Sequence, residues 1–211
     1  MSMSNAGHPS EIMHAFRSAR LCYLRADETN VAFSAILSEV TQDPVTQTVA
    51  SLVRLQPWRQ KDLDEIAEHI ARSLLAVTIC LAPEEATARG LQTQCAAEQA
   101  HGWGISAAVE HNRTAALDIR LATKYQSMGY GREAVNWMLD WAFRRAALHT
   151  VSMSVTSINV RGRRLAEALG FRSEGCKKEA IWLDRAWYDA LAYGMTECEW
   201  EELRRSQDRK R

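Results

Sequence analysis

Apolar and polar positions alternate from Ala115 to Ala122, with Leu117, Ile119 and Leu121 on one face and Asp118 and Arg120 on the other, which predicts a half-buried strand. The period then changes. From about Gly131 to Ala146, Val135, Met138, Leu139, Ala142 and Ala146 recur at three- and four-residue steps, predicting a helix that lays an apolar stripe on a sheet. Alternation returns at Thr150 to Thr156 around Val151, Met153 and Val155. Asn159 stands where an N-cap belongs, ahead of a helix from Val160 to Leu169. Gly170 is placed to close that helix in the left-handed conformation, with Phe171 folding back on Leu165.

The earlier part of the chain is less sharply patterned. Asp27 is placed to cap a first helix reaching about Val40, and Asp62 to Arg72 forms a second, with Ile66 and Ile70 four apart. Leu74 to Leu81 reads as a buried strand followed by a turn at Pro83. Glu84 to Ala100, rich in Ala, Gln and Glu, is compatible with a short helix or with a loop over a site. Trp103 to Val109 resumes the sheet, and Glu110-His111-Asn112-Arg113 turns into the strand at 115–122. The organisation expected is an arm at 1–15, a single domain at 16–203 and a charged tail at 204–211.

Between the strand at 115–122 and the next helix lies Lys124-Tyr-Gln-Ser-Met-Gly-Tyr-Gly-Arg-Glu-Ala134, a polar loop with two close glycines. Gly129 and Gly131 permit dihedrals that other residues resist, so consecutive N–H groups can converge on a phosphate, and the helix adds its positive end. Taken alone, Gly-x-Gly fits an anion cradle and a plain turn equally well.

The ordered set decides between them. Strand, Gln126-x-x-Gly129-x-Gly131, helix, strand, Asn159, helix and Leu169-Gly170-Phe171 together resemble the acetyl-CoA-binding core of the GNAT N-acetyltransferase superfamily. Glu174-Gly175, Trp187-Tyr188-Asp189, Glu199-Trp200 and, at the front, Ser18-Ala19-Arg20-Leu21 with Leu24-Arg25 resemble its RimJ/RimL-like branch. The similarity is close over roughly 101–200 and thin over 17–100. It implies an α/β fold: one GNAT domain whose central mixed, twisted sheet of about six to seven strands has helices on both faces and a V-shaped splay between the two central parallel strands. It also implies acetyl-CoA as cosubstrate, anchored by the loop residues Gln126, Ser127, Met128, Gly129, Tyr130, Gly131 and Arg132, with the pantetheine arm against the backbone of Ile119 and Leu121 and within reach of Asn159.

Composition agrees with an enzyme of this kind. Lys plus Arg and Asp plus Glu each number 26 in 211 residues, so no global basic field points to nucleic acid. No stretch approaches the ~20 apolar residues of a membrane span, and a cytoplasmic protein, monomeric or homodimeric, is expected. The five cysteines are scattered and odd in number, which argues against a disulfide framework or a zinc site; no metal is expected.

Direct transfer to an amine requires a neutral nucleophile, and an alkylammonium titrates near ~10, so a carboxylate or His acting as base would help. Asp118 is the leading candidate, since many relatives carry a Glu two residues earlier, where this chain has Ala116. His101, Glu110 and His111 are rivals. Asp189 matches the branch's Asp and fits a structural or a catalytic role. Relatives also place a Tyr to protonate the leaving sulfur where this chain has Ala166; Ser157 or Tyr188 are the candidates to replace it. Trp182, Trp187 and Tyr188 either line an acceptor pocket or, as adjacent-strand aromatics usually do, fill core. The acceptor is expected to be an amine of a small molecule or a protein N-terminus; a coenzyme-binding protein without transfer is the alternative.

Overall fold

The alternation at 115–122 becomes strand β4 (Thr114–Leu121) and that at 150–156 becomes β5 (Thr150–Thr156). The computed structural model describes residues 15–26, 31–50, 56–91 and 100–209, without the side chains of 31–32, 49–50 and 100–110. Around β4 and β5 lie β1 (Leu21–Arg25), β2 (Leu75–Leu81), β3 (Ala100–Val109), β6 (Arg172–Leu183) and β7 (Ala186–Thr196). They form one seven-stranded sheet in the order β1-β2-β3-β4-β5-β7-β6. The β4–β5 pair is parallel and the others antiparallel. This is the mixed GNAT sheet that the motifs imply, with its parallel pair at the centre.

Helices cover both faces. On one, α5 (Tyr130–Asp140) and α6 (Val160–Leu169) pack on the sheet, joining Leu21, Tyr23, Leu117, Val151 and Phe171 in the larger core. On the other, α1 (Val31–Gln42) and α3 (Gln60–Ala71) enclose a smaller core of Phe33, Ile36, Leu37 and Ile70 against Ala76 and Ala122. Between these two helices is α2 (Pro44–Ala50), which the sequence pattern did not reveal. Asp27 lies outside the described residues, so the cap expected there is not seen. The uncertain segment begins as a short helix, α4 (Pro83–Ala88), and its residues 92–99 lie outside the described residues.

Two boundaries move. The long helix expected over 131–146 is α-helical to Asp140 and continues as a π-helix over Trp141–Arg145. The last helix, α7 (Glu197–Asp208), runs into the stretch read as a charged tail, and Arg204 reaches Asp140 of α5 at 2.6 Å. Thr196 and Glu199 cap it reciprocally. Residues 1–14, most of the expected arm, lie outside the described residues, and there the domain limits stay an expectation. Among the described residues no helix is long and apolar enough to cross a membrane.

The α6 terminus has the geometry its sequence predicts. Gly170 sits at φ 89°, its N–H donates to Glu167 O at 3.1 Å, and the Phe171 N–H reaches Ala166 O at 3.0 Å. A Cβ on Gly170 would also stand 2.5 Å from Leu203 Cδ1 of α7. Gly170→Ala is expected to cost about 1–2 kcal/mol through the left-handed backbone, lowering Tm by roughly 2–8 °C; a thermal melt checks it.

Candidate active site

The sheet splits along its middle. β4 and β5 pair at Thr114↔Thr150, Ala115↔Val151 and Ala116↔Ser152 and then part. Each wall is held by its outer neighbour instead. β4 stays in register with β3 as far as Leu121↔Gly102, and β5 with β7 as far as Thr156↔Ala190. At the end of β5, Ser157 N–H donates to Asp189 O at 2.8 Å and Asp189 N–H to Ser157 Oγ at 3.0 Å, extending that grip. Residues 117–121 and 153–156 therefore face one another across a gap without pairing as strands.

The glycine loop closes the open end of β4. One tight turn, Thr123–Tyr125, leads into Gln126, and Ser127 and Gly129 both take positive φ, 61° and 84°. Gly131 does not. It is the second residue of α5, and a Cβ there would make ordinary contact with Leu121 Cδ1 at 3.6 Å and Leu165 Cδ2 at 3.7 Å. The conformational demand expected of both glycines thus falls on Gly129 alone. The Gln126 N–H is likewise already bonded, to Thr123 O at 3.2 Å. The open donors include the N–H groups of Ser127, Gly129, Tyr130 and Gly131, for which no acceptor occurs among the described residues. Two positive-φ residues ahead of a helix N-terminus aim such groups at one point, a cradle for an anion.

Side chains of the loop brace it. Gln126 Nε2 donates to Leu121 O at 2.8 Å while its Oε1 accepts from Arg161 at 3.0 Å. Tyr130 is 1% exposed, so it offers the cradle its backbone only. Burial and the bond to Glu85 push its phenol up to about 12, and it donates to Glu85 Oε1 at 2.6 Å. Met128 is exposed and Arg132 stands in the open on the first turn of α5.

The residue most overlooked in sequence was Arg20, which the family resemblance contained but to which it gave no role. Its backbone N–H and Nε donate to the two oxygens of Glu133 at 2.6 and 2.8 Å, and its Nη1 donates to Met128 O at 3.1 Å. Ser18 Oγ donates to the same carboxylate at 2.7 Å. The available signal was Glu133 in the first turn of α5, where a carboxylate is favoured by the helix dipole and can collect donors.

Of the catalytic candidates, Asp118 lies on the free stretch of β4, on the face opposite Leu117. Its side chain is 44% exposed, and Arg120 is 3.4 Å away. The protein packed around it raises the carboxyl above its ordinary range, with Arg120 opposing. Asp189, on β7 two strands from β4, is structurally occupied: its Oδ1 accepts the Glu179 N–H at 2.8 Å, closing a bulge of β6 between Lys177 and Ile181. Tyr188 lies beside it, opposite Ile181. Asn159 caps α6, accepting the Gly162 N–H at 2.8 Å directly after β5. His111 is exposed, while the side chains of His101 and Glu110 lie outside the described residues.

Two expectations are corrected. Trp182 and Trp187, for which core was the usual reading beside a pocket lining, are each 56% exposed and lean on one another, centroids 5.0 Å apart, at the end of the β6–β7 hairpin, where no element covers them among the described residues. Ala166, read as facing a sulfur pocket, is 0% exposed and belongs to the main core. Ala166→Tyr is therefore expected to overpack that core and cost about 1–3 kcal/mol, seen as a lowered Tm.

Comparison with known proteins places this geometry. Residues 33–172 match the family described as acetyltransferase (GNAT) domain. Two uncharacterized N-acetyltransferases of Bacillus subtilis (strain 168) are similar in sequence: YnaD, 32% identical over 76 residues, and the SPbeta prophage-derived YokL, 35% over 77. Each alignment covers 36% of this chain and just under half of the relative, 45% and 44%. In structure, spermidine N-acetyltransferase from Vibrio cholerae, solved with CoA and spermine, is similar at TM-score 0.69 and 16% identity, covering 87% of this chain and 99% of that one. RimL, the ribosomal L7/L12 alpha-N-protein acetyltransferase, is similar at TM-score 0.63 and 18% identity, covering 85% and 91%.

Proposed function

Because the chain belongs to the GNAT acetyltransferase family, we propose that it transfers an acetyl group from acetyl-CoA to a primary amine. The acceptor is a small molecule, of polyamine or amino-acid type, or a protein N-terminus, as in the RimJ/RimL-like branch. The observation that carries this reading is the split between β4 and β5 with an open N–H cradle at its mouth. The fit to the coenzyme is local and chemical. Donors at Ser127, Gly129, Tyr130 and Gly131 suit a pyrophosphate, Arg161 and Lys124 add positive charge nearby, and the side of β4 that no longer pairs with β5 suits the amide-bearing arm as an added strand.

When bound, the coenzyme supplies an activated acetyl thioester. The protein's own tasks are to hold it and to neutralise the amine. Asp118, on the α1–α3 face of the split, takes the ammonium proton on its carboxylate, directly or through a water. A raised pKa makes that carboxylate a better base, and Arg120 opposes the rise. Acid assistance to the sulfur is not assigned to α6, since Ala166 is buried there; a thiol titrating near ~8.5 leaves adequately as thiolate. The combination of Ala116 and Ala166 favours one second reading, a coenzyme-binding protein that does not turn over. Calorimetric acetyl-CoA binding, with thiol release measured against spermine, free amino acids and peptides of varied N-terminus, decides: release with any amine supports the enzyme, and tight binding without release on all of them supports the second reading.

Gly129→Val is expected to weaken CoA binding more than about tenfold, because a branched residue resists φ 84° and Arg20 Nη2 already lies 3.2 Å from the added Cβ. Gly131→Ala, in ordinary helical space, should stay within a few-fold. Equal losses in both, read by calorimetry, would remove the cradle from this account.

The pH dependence follows from Asp118. It acts ionised, so activity falls as pH drops through its pKa, and the raised value places that acid limb above the ~3.9 of an unperturbed Asp. Asp118→Asn should lower kcat/KM by about 100-fold and erase the limb, while CoA affinity changes little. Arg120→Gln removes the opposing charge and should move the limb to higher pH. A pH profile of kcat/KM that is unaltered in Asp118→Asn would return Asp118 to a structural role.

A further inference from the structure

The coenzyme loop is also tied to the helices on the other side of the split, through Asp43. This residue lies between α1 and α2 and caps α2: its carboxylate accepts the Val45 N–H at 3.3 Å, the Thr46 N–H at 3.1 Å and the Thr46 hydroxyl at 2.6 Å. The same Oδ2 accepts the hydroxyl of Thr123 at 2.9 Å, eighty residues away in sequence. Thr123 is the first residue of the tight turn that delivers the chain into the cradle. One residue on, Lys124 Nζ lies 3.0 Å from Glu39 of α1.

The corner that Asp43 holds is rigid and well placed. Thr46 and Gln47 are buried, and Gln47 Nε2 donates to Thr41 O at 2.7 Å, pinning the start of α2 to the end of α1. From there α2 reaches β5, while α1 lies against β3. The corner thus spans the split on the face that carries Asp118, the side opposite α5 and α6. Burial works to raise the Asp43 carboxyl, but bonds from Thr46, Thr123 and Val45 outweigh it and hold the pKa below the ordinary range, so the latch is ionised at neutral pH.

We propose that Asp43 is a positioning residue that couples the α1–α2 roof to the coenzyme loop, so that filling the loop fixes the roof over the Asp118 side, and an acceptor held under the roof tightens the coenzyme in return. The proposal rests on the coenzyme reading of the loop. Its physical basis is that Ser127 and Gly129 must be held in positive φ for the N–H groups to converge, and the Thr123–Asp43 bond fixes the turn that leads into them. Any differential stabilisation of that turn by a bound anion is felt by the carboxylate that also caps α2, and such coupling is reciprocal.

The test uses CoA as the probe, with calorimetry and amide hydrogen exchange on the full chain. In the wild type, CoA should slow exchange at the loop, residues 127–134, and also at the start of α2, residues 45–48. Thr123→Val, at an exposed position, should weaken CoA roughly three- to tenfold and abolish the α2 protection while keeping Tm within about 2 °C. Thr123→Ser, which keeps the hydroxyl, should restore both. Asp43→Ala, which removes the Thr123 bond together with the α2 cap, should weaken CoA at least as much, and adding Thr123→Val to it should weaken CoA no further, since the bond to Thr123 is already gone. Wild-type-like CoA affinity in Thr123→Val, or protection confined to the loop in the wild type, overturns the coupling with the coenzyme site intact. No CoA binding by the wild type, with the loop amides unprotected, would instead overturn the coenzyme reading, and the coupling with it.

Discussion

Past Ala116 and Ser152 the peptide groups of two central strands lose each other as partners, and the rest of the molecule is arranged around that loss. Backbone groups left unpaired inside a sheet are costly unless water or a ligand meets them. The gap persists because each wall is more strongly engaged on its outer side: β4 by β3 along its whole length, β5 by β7 and then by the Ser157–Asp189 exchange. Asp189, which family resemblance offered as catalytic or structural, makes its visible contribution here. Its carboxylate also fixes the β6 bulge, so one residue ties the end of β5, β7 and β6 together on the outer side of the split.

Electrostatics at the mouth of the split are local. The chain's charges cancel in total, 26 against 26. Around the cradle, however, Arg20 and Arg89 both approach the ring of Tyr130, at 4.7 and 5.2 Å, and each is anchored to a carboxylate, Glu133 and Glu85. These arginines hold the loop from behind by its side chains and by the Met128 carbonyl, leaving the N–H groups open in front. An anion in the cradle would meet directed donors, which salt screens less than diffuse surface charge. Pairing the guanidinium groups with glutamates keeps the positive field from depending on flexible, solvated side chains.

Much of this was legible in the sequence wherever local pattern and local structure coincide. The limits of β5 and α6, the Asn159 cap and the left-handed Gly170 follow from periodicity and terminal chemistry, and the structure has them where the pattern puts them. The fold class followed from the order of motifs. What escaped depends on contacts distant in sequence. Arg20 meets Glu133 across more than a hundred residues, and Asp43 meets Thr123 across eighty; no period records either. The two tryptophans could not be placed from the sequence because strand alternation reports which residues share a face, whereas whether that face is covered depends on what packs on it. Gly131 was over-interpreted for a related reason: a glycine in a motif marks either a backbone angle or a close approach, and only Gly129 has the angle.

The core position of Ala166 narrows how the site can work. Its carbonyl accepts the Phe171 N–H that ends α6, its methyl is fully buried, and the adjacent Gly170 leaves no space before Leu203 of α7. A phenol there would overfill the buried core that Ala166 belongs to. On the proposed reading, Ala166 leaves α6 without the proton donor that the family resemblance implies, and the chemistry leans on the amine side. That is where the structure invests: a carboxylate on the free stretch of β4, made more basic by its surroundings and restrained by Arg120, beneath a roof latched to the coenzyme loop. On the proposed reading, a site so arranged would gain more from placing a neutral amine correctly than from hastening the departure of a thiolate that is already a fair leaving group, which puts its selectivity with the roof and Asp118 rather than with α6.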